Sequence, residues 1–264
     1  MTALRINGQR YEVDVVVFDK DGLLFDSQHF WKALAKVRIR CLRETLGDEG
    51  VRRWCRLFGV ALNEREEPAR IDPNGIFALA SPQEEIVVTA SVLKSVTGSD
   101  WGECRRNAAA AFERSDREFE PAEGLLPKPG FPDIFRRLKE VSIPFGIATS
   151  DDYERTKASV ERYGVWDELR FLITPADVER GKPNPDMLLL AAEKMNVPLS
   201  RIAMVGDSFV DVQMARAAGC IGIGIPDDPD MARKMRGLAT CIASDLNAIE
   251  TERAPARAEG TILT

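Results

Sequence analysis

The sequence predicts an α/β fold: a parallel β-sheet with helices on both faces, and a helical segment inserted near its start. Three observations predict it. Short apolar runs alternate with helix-like runs from residue 132 to 225, the pattern of a parallel sheet covered on both sides. An isolated strand-like segment, residues 12–18, with the apolar run Val15 to Phe18, stands far upstream of the others. Between them, residues 26–119 read as helix after helix.

Element by element, residues 3–9 form a short strand that ends in the turn signal Asn7-Gly8. Residues 12–18 form a buried strand. Asp26 and Ser27 are helix N-caps, and a helix follows to about Leu46. Residues 68–82 are a loop. Ser81-x-x-Glu84 is a capping box that opens a helix stopping near Gly98. Asp100-x-x-Glu103 opens another, to about Arg117. The Pro- and Gly-rich stretch EPAEGLLPKPGFP, residues 120–132, is the return linker. Helices near 132–140, 151–163, 186–196 and 208–218 then alternate with strands near 144–149, 170–173, 202–206 and 221–225. A weaker strand near 239–242 and a short helix follow. The tail, Arg253 to Thr264, lacks periodicity and is expected to be mobile. The domain division is therefore 1–25 with 120–264 as the sheet core, and 26–119 as the insertion.

Composition narrows the function. The chain has 264 residues, 44% hydrophobic and 30% charged, with a net charge of −6. That charge makes a poor general binder of nucleic acid or anionic membrane, so any anionic ligand needs a local site. Cys41, Cys55, Cys104, Cys220 and Cys241 are odd in number and scattered. They argue against a disulfide framework or a zinc site and fit the cytoplasm. The N-terminal MTALRINGQRYEVD is polar where a signal peptide is apolar, and no apolar run is long enough to span a membrane.

The chemistry lies at strand ends, where open parallel sheets bind ligands. VVVF, residues 15–18, runs into Asp19-Lys20-Asp21-Gly22. Residues two apart on a strand share a side, so Asp19 and Asp21 converge. Paired carboxylates hold a metal, divide acid and base roles, or supply a nucleophile; a plain polar turn is the bland alternative. FGIA ends in Thr149 and Ser150, whose hydroxyls suit a phosphate oxygen beside a helix N-terminus; Ser150 also reads as a simple N-cap. Lys182 is pinned between Gly181 and Pro183. AMVG ends in Gly206-Asp207, and Asp211 lies four residues on, over the same helical face.

These motifs, Asp19-Lys20-Asp21-Gly22, Thr149, Lys182 and Gly206-Asp207-Ser208-x-x-Asp211, resemble in order and context those of the haloacid dehalogenase superfamily. The resemblance covers most of residues 12–225. GLLPKPGFPDIFRRLKE looks like that family's return from cap to core, and the helical insertion resembles its type 1 cap, as in phosphoglycolate phosphatases. The resemblance implies a Rossmann-like core and a Mg²⁺-dependent phosphatase acting on a small-molecule phosphate ester. It makes Asp19 the nucleophile that becomes an aspartyl phosphate and Asp21 the general acid and base. Mg²⁺ would sit between the Asp19 carboxylate, the Asp21 backbone carbonyl and Asp207, with Asp211 steadying it. Thr149 and Lys182, with Ser150, would bind phosphoryl oxygens. Lys20, turned from Asp19 by strand alternation, is assigned no catalytic role.

Asp21 and Asp207 argue against dehalogenation, which needs neither a second acid nor a metal. No cap lysine marks phosphonate cleavage. A sugar phosphomutase on the same core is the runner-up, and a catalytically inactive regulatory protein the reading from another class. His29 reads as a surface or core residue, the four tryptophans as packing residues, and Arg52, Arg53 and Arg56 as a solvated face. Residues 69–83 are the loop expected to influence specificity. The sequence leaves monomer and homodimer equally open.

Overall fold

The computed structural model describes residues 2–73 and 75–253. The tail beyond Arg253 lies outside them, as does Asn74 in the expected specificity loop. The chain divides into two compact units, residues 1–25 with 127–264, and residues 26–126. The second unit thus runs seven residues beyond the boundary at 119 and takes in a 3₁₀ turn, Pro121–Gly124.

The first unit is built on a six-stranded sheet. Its strands lie in the order Cys241–Ile242, Ile221–Gly224, Ile202–Gly206, Val15–Phe18, Phe145–Ala148, Leu172–Ile173, and every pairing is parallel. Val15–Phe18, Phe145–Ala148 and Ile202–Gly206 are buried at every residue. That explains their unbroken apolar runs, since both faces of a parallel sheet are covered. Helices Asp133–Glu140, Tyr153–Glu161, Asp186–Met195, Phe209–Ala218 and Pro229–Met235 belong to the same unit. After Val15–Phe18 the later strands build outward on one side, through Phe145–Ala148 to Leu172–Ile173. The chain then returns to the other side with Ile202–Gly206. The order therefore reverses at Val15–Phe18, and a ligand crevice is expected past its carboxyl end.

The expected 12–18 strand is two strands. Gln9–Glu12 folds back on Thr2–Ile6, with Asn7 and Gly8 both at positive φ as a tight hairpin turn requires. Glu250–Arg253, a strand the sequence does not predict and whose last residue opens the expected tail, pairs with the other edge of Thr2–Ile6. The helix Pro229–Met235, capped by Asp228, is also new.

The second unit packs the helices Ser27–Phe58, Pro82–Thr97 and Trp101–Glu118 around Trp54, Phe58, Leu42 and Leu93. Asp26 caps the first helix through the His29 N–H, and the helical path breaks at Gly47 (φ 63°, ψ 178°). The Ser81 capping box and the Gly98 C-cap stand as the sequence indicates. The unit is not all-helical outside its loop. Val60–Leu62 and Pro68–Ile71 form an antiparallel hairpin, whose turn is held by the Asn63 side chain accepting from the Arg65 and Glu67 N–H groups. A short helix, Ile76–Leu79, lies within the expected loop. Trp54 stacks on Phe58 and donates to Thr89 Oγ1 at 2.9 Å. Trp101 is 44% exposed, so it is not a packing residue. Arg52, Arg53 and Arg56 are exposed.

Candidate active site

The central strand delivers Asp19 to the reversal point. Phe18 pairs with Val205 on one side and Ile147 on the other, and the Asp19 N–H donates to the Val205 carbonyl at 2.9 Å. Asp19 is thereby level with Gly206 and Ala148, the last residues of the flanking strands. Its carboxylate is buried, and Lys182 Nζ donates to Oδ1 at 2.5 Å. The Lys182 side chain is itself buried and reaches Asp211 Oδ1 at 2.6 Å. A tight turn fixes its backbone, with the Asn184 N–H donating to the Gly181 carbonyl.

Asp211 is the N3 residue of the helix Phe209–Ala218. Its Oδ2 accepts from the Ser208 N–H and hydroxyl in a capping box, while Oδ1 faces Lys182. Asp207 completes the group: oxygens of Asp19, Asp207 and Asp211 lie within 4.8 Å of one another. Two glycines permit this crowding. A Cβ on Gly206 would stand 2.3 Å from Asp211 Cβ, and one on Gly22, at φ +86°, 2.1 Å from Asp207 Oδ2. Both distances are far inside van der Waals contact, so any side chain would push a carboxylate out of the cluster.

Burial raises the Asp19 pKa to about 6; Lys182 opposes this, and Asp211 and Asp21 add to it. Burial also raises Asp207 well above the carboxylate range, reinforced by Asp19 and Asp211. For Lys182, burial works against the charge, but Asp19 and Asp211 outweigh it and its pKa is raised. One ammonium thus faces three carboxylates, two of which resist ionisation. Such a set of oxygen donors fits a hard divalent cation such as Mg²⁺, which binds few carboxylates and relieves their repulsion.

Asp21 stands apart from that cluster. Its side chain is about half exposed (53%) and pairs with Lys20 Nζ at 3.0 Å. Burial of its neighbourhood raises its pKa, with Lys20 opposing. The turn that carries it is closed by the Leu24 N–H donating to the Lys20 carbonyl and the Gly22 N–H to the Phe25 carbonyl. Lys128 Nζ donates to the Gly22 carbonyl and pairs with Asp227. Neither Lys128 nor Asp227 was singled out from sequence.

Thr149 is buried at the end of Phe145–Ala148, and its Oγ1 accepts from the Asp151 N–H at 3.1 Å. A hydroxyl that accepts there still has a proton to donate. Ser150 is exposed and is not the helix N-cap; that place is taken by Asp152, whose side chain accepts from the Arg155 N–H. The helix starts late enough to leave Ser150 in the loop. His29 Nε2 is 3.3 Å from the Glu123 carbonyl, within the helical unit. Lys20 is the main residue that sequence reasoning undervalued. It is 3% exposed and bonded to Asp151 at 2.5 Å. The signal was available: a lysine inside an apolar strand end cannot be buried without anionic partners.

Residues 13–219 match the family model for haloacid dehalogenase-like hydrolases. The phosphoglycolate phosphatase of Shigella boydii serotype 4 is 27% identical over 213 residues, 80% of each chain. The probable phosphatase IndB of Dickeya dadantii is 29% identical over 211 residues, again 80% of each. Among solved structures, a HAD-superfamily hydrolase of subfamily IA from Geobacter sulfurreducens superposes with a TM-score of 0.57. The superposition covers 89% of this chain and 93% of that one at 19% identity, which shows a shared fold. With the order of its strands, the carboxylates at their ends and a family match over most of its length, the chain belongs to the haloacid dehalogenase-like hydrolases and is an enzyme of that family.

Proposed function

We propose that the chain is a Mg²⁺-dependent phosphatase that hydrolyses a small phosphomonoester through an aspartyl phosphate. The observation that carries this reading is the meeting of Asp19, Lys182, Asp207 and Asp211 where the strand order reverses. Asp19, Asp207 and Asp211 would hold the cation. Its charge, when bound, lets an anionic carboxylate approach an anionic phosphate.

The remaining steps belong to the chain's own residues. Lys182 and Thr149 hold phosphoryl oxygens, and Lys182 offsets the charge of Asp19. An Asp19 oxygen attacks phosphorus, and the bond to the ester oxygen breaks as Asp21 gives that oxygen its proton. Asp21, now a carboxylate, takes a proton from water. The resulting hydroxide attacks phosphorus, the bond to Asp19 breaks, and phosphate leaves. The raised pKa of Asp21 supports a group that holds a proton and returns to it. The helical unit chooses among esters, and the relatives' names favour a small one resembling phosphoglycolate. In this reading the enzyme works in the cytoplasm as a monomer or homodimer, with neither nucleic acid nor membrane as partner. Its five cysteines are free, and no helix among the described residues is long and apolar enough to cross a membrane.

The test is phosphate release over a panel of phosphoglycolate, sugar phosphates, nucleotides and p-nitrophenyl phosphate, with Mg²⁺ or with EDTA, and Asp19→Asn as the blank. Hydrolysis should need Mg²⁺ and vanish in the blank. Undiminished hydrolysis in EDTA would remove the metal from the mechanism. Phosphoryl transfer within a sugar phosphate, without phosphate release, would replace hydrolysis by mutase chemistry.

A further inference from the structure

Two lysines serve the two acids of the first strand end, and only one of them has a role so far. Lys182 holds Asp19. Lys20 is as deeply buried, and its Nζ lies between Asp21, at 3.0 Å, and Asp151 Oδ2, at 2.5 Å. A buried ammonium is costly unless paired and hydrogen-bonded, so this placement ties Lys20 firmly to both carboxylates. Asp151 is itself anchored. Its Oδ1 accepts from the Asp152 N–H at 2.9 Å and meets the Arg155 guanidinium at 2.7 Å, while its own N–H donates to Thr149 Oγ1. A continuous polar chain therefore runs from Asp21 through Lys20 and Asp151 to Thr149. It joins the ends of two neighbouring strands, Val15–Phe18 and Phe145–Ala148.

We propose that Lys20 is a positioning residue: it holds the Asp21 carboxyl in fixed relation to Asp151 and the Thr149 hydroxyl, so that the acid meets the leaving oxygen of a bound phosphate ester. The role rests on the phosphatase reading above. A half-exposed aspartate has two free torsions and a solvent-facing side. Proton delivery tolerates little misplacement, because reacting atoms must sit within hydrogen-bond reach. Lys20 enters from the buried side and leaves the exposed face of Asp21 for substrate. It touches neither the reacting phosphorus nor the leaving oxygen in this scheme and acts through Asp21 alone.

The experiment is the leaving-group dependence of kcat/KM, which reports steps up to the first release. Substituted phenyl phosphates and an alkyl phosphate are compared in the wild type, Lys20→Met, Asp151→Asn and Asp21→Asn. A good leaving group needs little protonation and an alkoxide needs much. Lys20→Met should leave kcat/KM for p-nitrophenyl phosphate within about 3-fold and lower that for the alkyl ester about 10–100-fold, part of the range for a lost general acid. Asp151→Asn, which removes only the far anchor, should tilt the series the same way by less. On an Asp21→Asn background, Lys20→Met should add no further tilt. A purely structural lysine would scale all esters equally, by reducing the folded fraction. Equal scaling, an unchanged profile, a flat profile in Asp151→Asn, or a tilt that persists without Asp21 would each overturn the positioning role. Wild-type protein inert toward every ester would instead overturn the phosphatase reading beneath it.

Discussion

Both units of the molecule bury charge, and they do it differently. In the helical unit Arg38 Nη1 reaches both Glu85 oxygens, at 2.8 and 2.7 Å, and Nη2 reaches Asp116 at 3.3 Å. The Phe112 ring lies 4.3 Å from the guanidinium carbon and the Phe77 ring 5.6 Å. Arg38 and Glu85 are nearly inaccessible to water while Asp116 is exposed, so the two buried charges cancel one for one inside an aromatic sleeve. In the sheet unit, among the described residues, Lys182 is the one cation paired with the cluster of Asp19, Asp207 and Asp211. A matched pair is a fastening between helices. An unmatched set keeps its carboxylates only if something cationic joins them. The contrast separates charge that serves the fold from charge proposed to serve chemistry, although both sets are largely withdrawn from water.

The largest expected difference is in turnover. Asp19→Asn removes the proposed nucleophile and should lower hydrolysis by about 10⁴-fold or more, as loss of a nucleophile does elsewhere. The same change removes a carboxylate whose charge the fold resists, so the melting temperature of the metal-free protein at pH 7.5 should hold or rise. Phosphate-release assays and thermal melts on one preparation check both halves. A variant that melts far below the wild type would mean that Asp19 is a structural ion-pair partner like Glu85.

Arg38→Met probes the other side of the comparison. It leaves the Glu85 charge buried without its partner and should cost about 3–5 kcal/mol. Replacing Glu85 as well, in Arg38→Met/Glu85→Met, should recover most of that loss, because an apolar pair of similar volume needs no counter-charge. Three of the four tryptophans, Trp31, Trp54 and Trp101, lie in the helical unit, so urea unfolding followed by tryptophan emission reports mainly on it. A double variant no more stable than Arg38→Met would show that the arginine stabilises through its ring contacts rather than its charge.

What could be read from the sequence was what is local. Ser81 with Glu84, Gly98 and Asp100 mark helix ends because caps are made within three or four residues. Asp19, Thr149 and Asp207 stood out because each follows an apolar strand, and Lys182 because Gly181 and Pro183 pin it. The hairpin Val60–Leu62 with Pro68–Ile71 did not, since strands this short carry no usable period. Glu250–Arg253 finds its partner at Thr2–Ile6, across nearly the whole chain, and nothing within the segment announces that pairing. Asp228-Pro229 was a legible helix start that went unread. In the site, residue types were legible and partners were not: Lys182 and Asp19 are 163 positions apart. Lys20 was judged by strand alternation, which gives direction, when burial would have demanded its partners.

The smallest expected effect concerns metal and pH together. In the unfolded chain Asp19 and Asp207 titrate near the ordinary 3.8, whereas folding raises Asp19 to about 6 and Asp207 well above 3.8. Between those values the folded state holds protons that the unfolded state has lost. Stability from these groups therefore falls as pH rises from about 4 through 6 and further for Asp207, and the full penalty remains above the folded pKa values. Partly exposed carboxylates paired with arginine, such as Asp14 and Glu252, are lowered instead. They contribute stability above their unfolded pKa and lose it as pH falls through the folded one, so they are silent from pH 5.5 to 7.5. A cation bound by Asp19, Asp207 and Asp211 removes the penalty and competes with protons for the same oxygens. Mg²⁺ at about 100 times its dissociation constant should add ~2.7 kcal/mol, or about 5–10 °C in melting temperature, at pH 7.5. The gain over EDTA should shrink at pH 5.5 and be largely lost in Asp207→Asn. A gain equal at both pH values, or intact in that variant, would place the cation away from the three carboxylates and leave their crowding without a purpose.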